Sequence, residues 1–226
     1  MNVSEAVASR CSIRDFLPTP VTGATIRQVL AAASRSPSGG NVQPWHIDVI
    51  AGSKLDELKA LMRQRVLAIA AGGDAEERDY DIYPKDLPTP YRDYRFKLGE
   101  DMYALVGTGR DDKAGRLRWF ARNWEAFGAP MLLLCSVDRR MGKPQWSDLG
   151  MFLQTVMLLL REQGLDSCAQ ESWSVYPRTV GSFIGLPPER MIFAGMAVGY
   201  RNTEHAVNSL HSDRAPLETF ARFHGI

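Results

Sequence analysis

Cysteine is scarce in this 226-residue chain, and the three that occur, Cys11, Cys135 and Cys168, have no paired spacing. An odd number without such spacing argues against a disulfide framework and against a zinc site. The histidines are scattered, and the closest two, His205 and His211, lie in an irregular tail. We therefore expect free thiols, no metal site and a cytoplasmic protein.

Strong net charge and long apolar runs are also missing. Lys and Arg number 27 against 26 Asp and Glu, so the formal net charge of +1 leaves no broad basic surface for nucleic acid or an anionic membrane. No apolar run approaches the roughly eighteen residues of a transmembrane helix. The first residues, MNVSEAVASRCS, lack the basic start and the long apolar core of a signal peptide.

The segment SRCSIRDF, residues 9–16, places Arg10 and Arg14 on either side of Ser12, directly after a short helical pattern. Guanidinium groups offer paired planar donors and a serine hydroxyl adds a neutral donor, so the cluster suits a phosphate group. The alternative is a solvated basic turn that pairs with a nearby acid such as Asp15.

The common motifs of nucleotide binding and hydrolysis are absent. The chain has no Walker loop, no glycine triad between a strand and a helix, and no Gly-x-Ser-x-Gly elbow. We identify no nucleophile–base pair and no close carboxylate pair. An anion site without a catalytic side chain of its own indicates that the chemistry belongs to a bound cofactor.

Hydrophobic periodicity predicts an α+β fold with a small central mixed sheet between helical layers. Helical patterns cover residues 24–34, a long stretch from residue 53, and 148–163, and strand patterns cover 46–52, 129–138, 164–172 and 191–200. The helix at 148–163 is apolar on nearly every side. This predicts a helix that is central, or buried between two subunits.

Two segments differ in character from this core, although we treat residues 1–226 as a single domain. Residues 71–125 are rich in Asp, Arg, Tyr and Gly, which predicts a lid or substrate-binding insertion with short helices near 99–106 and 114–123. Residues 201–226 have little core of their own, as in an arm that wraps a partner. The aromatic lid candidates are Tyr83, Tyr91, Tyr94, Phe96, Tyr103, Trp119, Phe120, Trp124 and Phe127.

Five segments together resemble the FMN-dependent nitroreductase family. They are SRCSIRDF, SPSGGNVQPWH, GLDSCAQES, GMAVGY and SDRAPLE, in the order and at the intervals that the family shows. The insertion, with YPKDLPTPYRDYR and RNWEAFGAP, is similar to the branch that reduces aromatic nitro compounds. The resemblance implies a nitroreductase-like fold and an intertwined homodimer with two flavin sites in the subunit interface.

The resemblance also implies which residues hold the phosphate of FMN. Arg10 and Ser12 would bind it directly, with the backbone of Cys11 and Ile13 alongside. Arg214 would return to it from the tail.

Further positions would contact the flavin ring. Arg14 would lie against the ring, near its pyrimidine end. The positions that would reach the flavin of the other subunit are Pro37, Ser38, Gly39 and Asn41. Those that would line the ring edge are Gln170, Glu171 and Ser172. On the residues alone, Gln170 and Glu171 are either a polar strand end or a hydrogen-bonding edge for a planar ring. Trp173, where many relatives have a glycine-containing pair, would close part of the substrate pocket.

The implied activity is a ping-pong reduction of nitroaromatic or quinone-like acceptors by NADH or NADPH, with FMN as cofactor. No protein acid or base is assigned. Two alternatives remain open: a sister-branch flavin enzyme, either a reductive dehalogenase or a flavin-consuming enzyme, and a flavin-binding protein without turnover.

Overall fold

The protein is described by a computed structural model that covers residues 1–226. The helices are α1 Val3–Ser9, α2 Gly23–Ala33, α3 Gly52–Ala70, α4 Tyr91–Leu105, α5 Lys113–Ala121, α6 Lys143–Glu162, α7 Pro177–Ile184 and α8 Leu217–Phe220. The strands are β1 His46–Ala51, β2 Met131–Asp138, β3 Asp166–Gln170 and β4 Arg190–Gly199. Short 3-10 turns cover Gly39–Asn41, Arg122–Gly128, Glu171–Val175 and Ala206–Ser209.

The four strands form one sheet in the order β1-β2-β4-β3. The predicted α+β fold is confirmed, but the sheet is antiparallel in all three strand pairs rather than mixed. Parallel pairing is limited to an isolated bridge between Ser12 and Ser167. A second isolated bridge joins Phe16 to Arg201 in the antiparallel sense, and neither bridge extends into a fifth strand.

Helical layers cover both faces of the sheet, as the alternation along β2 shows. Leu132 and Leu134 belong to a core cluster with α3 and α7, whereas Leu133 and Cys135 belong to a second cluster with α2 and α6. Successive side chains of a strand point to opposite faces, so this apolar run supplies both cores.

Helix α6 begins at Lys143, earlier than its apolar pattern indicates. Pro144 occupies the first turn, where a proline needs no intrahelical donor, and Gln145 Oε1 accepts the N–H of Gly142 at 3.2 Å. Both features start the helix before its buried face begins. That face, with Phe152 and Val156, packs against α2 and the sheet, so the helix is central.

The insertion and the tail are more ordered than their composition suggests. Helix α4 begins at Tyr91, directly after the proline-rich segment, rather than near residue 99. In the tail, Val207 is fully buried and Asn208 is 9% exposed, so the expectation of little core is wrong there. None of the helices combines the length and the apolar content needed to cross a membrane.

Candidate functional site

A cavity of about 710 Å³ lies between the end of α1 and the tail. Its wall contains five arginines, Arg10, Arg14, Arg161, Arg201 and Arg214. Serine hydroxyls add neutral donors, and no Asp or Glu belongs to the lining. We call this cavity the anion chamber, because such a donor set matches a phosphate group.

Two of the five arginines are held by a buried acid. Asp166, at the start of β3, is 3% exposed and lies 2.7 Å from Arg161 Nη1, while its Oδ2 accepts from Arg201 Nε at 2.8 Å. Hydrogen bonding to Asp166 raises the pKa of Arg201 above its ordinary value. This pair therefore forms a fixed wall of the chamber.

The other three arginines, Arg10, Arg14 and Arg214, have no carboxylate within 4.0 Å and keep their charge available for a ligand. The alternative of a solvated turn paired with Asp15 is wrong. Asp15 Oδ1 instead accepts from Arg122 Nη2 at 2.7 Å.

Local structure directs the SRCSIRDF segment toward the anion chamber. Helix α1 is capped at its start by reciprocal hydrogen bonds between Asn2 and Glu5, and it ends at Ser9 with Arg10 as its C-cap. The chain then runs extended, and the N–H of Ile13 donates to Ser167 O at 3.1 Å. Because Ile13 is fully buried, its neighbours Ser12 and Arg14 point the other way, into the chamber wall.

A second cavity of about 260 Å³ adjoins the first. Most of its lining is apolar, and five of the predicted lid aromatics contribute: Tyr83, Tyr103, Trp119, Phe120 and Phe127. We call it the ring chamber. Arg14 lies in the wall of both chambers and therefore marks their junction.

The remaining lid candidates do not reach the ring chamber. Tyr91, Tyr94 and Phe96 lie on exposed parts of α4, at 60%, 48% and 58% exposure. Trp124 is buried in the core, where its Nε1 donates to Ser172 O at 3.1 Å. Trp124 is therefore a core residue rather than a lid residue, and Tyr91, Tyr94 and Phe96 lie outside the ring chamber of their own chain.

The end of β3 forms one side of the ring chamber through Gln170, Glu171 and Ser172. The Gln170 amide is already engaged by the protein: Nε2 donates to Asn123 O at 2.8 Å, and Oε1 accepts from Trp173 Nε1 at 3.2 Å. Gln170 thus stiffens the chamber wall, while the Glu171 side chain stays exposed without a partner.

Trp173 does not close the pocket as the sequence led us to expect. It is fully buried and lies outside the ring chamber lining. Gly195 of β4 makes room for it, since a Cβ there would lie 2.2 Å from Trp173 Cδ1. The indole therefore packs inward against the sheet and leaves the chamber open.

The loop Pro37, Ser38, Gly39 and Asn41 lies outside both chambers of its own chain. Its shape is fixed locally: the Gly39 N–H donates to both Asp148 oxygens at 3.3 Å, and Ser38 Oγ accepts from Gln43 N at 3.0 Å. Gly40 and Asn41 both adopt φ of 58°. Any contact of this loop with a ring chamber would need a second subunit.

Neither cavity contains an evident protein nucleophile. Cys168 lines the ring chamber, but burial raises the pKa of its thiol, and the nearby Arg14 only partly opposes this shift. The thiol is therefore protonated at neutral pH and unreactive. Cys11 lines the anion chamber. No group of three His, Cys, Asp or Glu residues is placed to hold a metal ion.

The sequence analysis missed several residues of the site. Arg161 and Arg201 complete the anion chamber, and Asn208 accepts the Arg14 N–H at 2.8 Å. Arg161 carried a signal, because it is the first charge after the long apolar run of α6. Asn208 carried none, since a single asparagine in a polar tail has no distinguishing pattern.

Comparison with known proteins agrees with this geometry. Residues 7–200 match the family model described as Nitroreductase family. The chain is 36% identical to a 4-nitrobenzoate reductase of Pseudomonas putida over 219 residues, which cover 97% of this chain and 94% of that protein.

Two solved structures also match this chain over almost its whole length. The FMN and NADPH-dependent nitroreductase NfnB from Sphigopyxis sp. strain HMH has a TM-score of 0.95 and 41% identity, with 100% of both chains covered. The FMN-dependent NfnB from Mycobacterium smegmatis, solved with NADPH, has a TM-score of 0.90 and 28% identity, covering 99% of this chain and 100% of that one. This chain belongs to the nitroreductase family.

Proposed function

We propose that this protein is an FMN-dependent NAD(P)H nitroreductase that reduces flat, electron-poor aromatic acceptors. The observation that carries the proposal is the junction of the anion chamber and the ring chamber at Arg14. FMN has the same division, with a phosphate at one end and a planar ring at the other. The relatives named above are a 4-nitrobenzoate reductase and FMN-dependent nitroreductases.

The residues present fit this cofactor. A phosphate monoester carries nearly two negative charges at neutral pH, and Arg10, Arg14 and Arg214 supply three cations that no acid neutralises. Ser12 adds a hydroxyl to the same wall. The aromatic and apolar lining of the ring chamber suits a planar heterocycle, since such surfaces exclude water from it.

When bound, FMN supplies hydride transfer from NADPH or NADH to a second substrate in alternating half-reactions. The chain's own residues bind and orient. Arg10, Ser12 and Arg214 hold the phosphate, and the fixed charge of Arg14 stabilises negative charge at the junction. Gln170 holds the chamber wall in place through Asn123 and Trp173.

We propose further that the working unit is a homodimer in which Pro37, Ser38, Gly39 and Asn41 reach the ring chamber of the partner. Two observations support it. The loop lies outside the chambers of its own chain. The tail also exposes Leu217, Phe220 and Phe223 at 46%, 72% and 61%, which a partner surface would cover.

The segments outside the core take corresponding roles in this proposal. Residues 71–125 act as the substrate lid, and residues 201–226 act as the arm that embraces the partner. The three free cysteines favour a cytoplasmic location, where thiols stay reduced.

The test is the visible spectrum of the purified protein, followed by anaerobic titration with NADH and NADPH and by assays with nitrobenzene. We expect a yellow protein that is bleached by a nicotinamide and then recoloured by nitrobenzene. A colourless protein that does not take up micromolar FMN would overturn the proposal. Bleaching without nitrobenzene turnover would favour a sister-branch enzyme, and a yellow protein that is never bleached would favour a non-catalytic flavin binder. Light scattering tests the dimer.

A further inference from the structure

The indole of Trp119 forms part of the ring chamber wall and has a guanidinium over its ring. The Cζ atom of Arg122 lies 5.0 Å from the centroid of the Trp119 ring, which is within the range of a cation–π contact. The rings of Phe127 and His205 also pack near the indole, at centroid distances of 6.3 and 6.0 Å. Trp119 is therefore held in the wall by neighbours from three positions of the chain.

Arg122 is in turn anchored to the segment that carries Arg14. Its Nη2 lies 2.7 Å from Asp15 Oδ1, and the two side chains are only 26% and 15% exposed. The other carboxylate oxygen of Asp15 accepts from Asn202 Nδ2 at 3.0 Å. Because Asp15 is fixed from a second side and the ion pair is partly shielded from water, the guanidinium has a defined place.

The backbone that follows Arg122 is tied to the same segment. The N–H of Phe16 donates to Phe127 O at 3.2 Å. Ala126 and Phe127 adopt left-handed φ values of 49° and 52°, which residues other than glycine rarely adopt. Such a backbone persists only where the surrounding structure holds it. The Arg122–Gly128 turn is therefore attached to residues 15 and 16 by an ion pair and by a main-chain hydrogen bond.

We infer that Arg122 is a positioning residue that holds the Trp119 indole where it packs against a flat aromatic molecule in the ring chamber. The inference rests on the proposed function and deepens it, because it names a residue that sets affinity for the acceptor. Arg122 lies outside the chamber lining, so it acts through Trp119. Since Asp15 directly follows Arg14, the ion pair also ties the indole to the residue that both chambers share.

A small neutral acceptor such as nitrobenzene should depend on this contact more than the nicotinamide coenzyme does. Nitrobenzene has a single ring, so packing against aromatic and apolar side chains is its main interaction with the chamber. The coenzyme has ribose, adenine and phosphate groups as well, through which it binds outside the chamber. Loss of the guanidinium should therefore raise KM for nitrobenzene, while kcat and the rate of flavin bleaching at saturating NADPH stay unchanged.

The experiment is a double-mutant cycle of Arg122→Gln and Trp119→Leu in the FMN-loaded protein. Arg122→Gln should raise KM for nitrobenzene roughly two- to fivefold, as for loss of a cation–π contact near the surface. In the Trp119→Leu background, the same substitution should have no further effect on KM. Arg118→Gln is the matched control, because Arg118 is exposed in the last turn of α5 and pairs with no carboxylate.

Two further measurements keep the test independent of turnover and of folding. Titration calorimetry with benzonitrile, a flat aromatic molecule without a nitro group, gives affinity for the chamber directly and should follow the same cycle. Asp15→Asn keeps an acceptor for Arg122 but removes the charge that holds it. This variant should weaken nitrobenzene and benzonitrile in the same direction by a smaller factor, and it decides the matter if Arg122→Gln does not fold.

The inference is overturned if Arg122→Gln leaves KM and benzonitrile affinity unchanged, or if Arg118→Gln changes them equally. It is also overturned if Arg122→Gln has the same effect in the Trp119→Leu background as in the wild type, since Arg122 would then not act through the indole. A wild-type protein that neither binds benzonitrile nor reduces nitrobenzene would have the same consequence. A protein that reduces no nitro compound but shows the expected cycle with benzonitrile would overturn the proposed function alone.

Discussion

Asn208 Oδ1 accepts the main-chain N–H of Arg14 at 2.8 Å, across 194 positions of sequence. The Asn208 Nδ2 donates to Asp15 O at 2.7 Å and to Asn202 O at 2.9 Å. A single amide of the tail thus satisfies three backbone groups and fixes the residue at which the two chambers meet. The tail takes part in the site through this contact as well as through Arg214.

Replacing Asn208 by Asp tests this contact. The carboxylate keeps an acceptor for Arg14 but loses both donors and faces two carbonyl oxygens. We expect the free energy of unfolding to fall by about 2–3 kcal/mol, the cost of leaving buried polar groups unpaired. Urea denaturation measures it. Ser209→Ala, at the exposed neighbouring position, should change stability little, and an equal loss in both variants would contradict the role of Asn208.

The proposed phosphate role of Arg10 predicts weaker retention of FMN in Arg10→Ala. A charged hydrogen bond contributes about 1.5–3 kcal/mol, so the dissociation constant should rise roughly ten- to a hundredfold. Quenching of flavin fluorescence during titration of the apoprotein measures it. Arg27→Ala, on the exposed face of α2, is the control for loss of one positive charge. If both variants hold FMN as the wild type does, Arg10 does not bind the phosphate.

Glu76 attaches the start of the insertion to the core. Its buried carboxylate accepts from the N–H groups of Arg178 and Thr179 at 2.7 and 3.2 Å, and from Arg65 Nε at 3.2 Å. Burial alone would raise the pKa of Glu76, but these contacts and the Thr179 hydroxyl outweigh burial and hold the pKa below its ordinary value.

A lowered pKa in the folded state means that Glu76 stabilises the protein above the ordinary glutamate pKa, and that this contribution is lost as the pH falls below about 4.5. Glu76→Gln should therefore lose about 1–3 kcal/mol at pH 7 and show a flatter decline in acid. Denaturation as a function of pH measures both effects. Glu77→Gln, at the exposed neighbouring position, should keep the wild-type profile.

Gly195→Ala should destabilise the protein by about 1–3 kcal/mol or more, because the added methyl group would overlap the Trp173 indole. The shift would also disturb Gln170, which accepts from that indole, and so lower nitroreductase activity. Thermal unfolding and turnover measure the two effects. In contrast, Gly99→Ala in α4, where nothing lies within 4 Å of the new Cβ, should raise stability by about 0.5–1 kcal/mol. Equal behaviour of the two variants would refute the packing argument.

Local patterns were sufficient to predict the central elements of this fold. The alternation in HIDVIAG and the apolar run of residues 129–138 correspond to β1 and β2 within a few residues, and helix α2 begins one residue before its predicted start. The two arginines of SRCSIRDF were also found, because they flank a serine directly after a helical pattern. These signals are local, and short sequence windows contain them.

Long-range packing decided what the sequence could not. The resemblance predicted that Trp173 would lie in the pocket. Its ring instead packs against Gly195 of β4, which has no side chain to exclude it. Arg161 and Arg201 differ from the other arginines because both pair with Asp166, and this pairing depends on the fold rather than on the local sequence. The pairing of Ser12 with Ser167 is a single parallel bridge, and tertiary contacts rather than local sequence determine how far such pairing extends.

The position of Arg14 in two walls has an evolutionary consequence. In the proposed function Arg14 serves both the phosphate and the ring of FMN, so almost any replacement of Arg14 would change cofactor binding and ring chemistry together. The aromatic residues of the ring chamber come from a different part of the chain, between α3 and β2. They can therefore change without any change at Arg14. Changes in acceptor preference within this lineage should therefore accumulate in the insertion, while the arginine between the compartments stays constant.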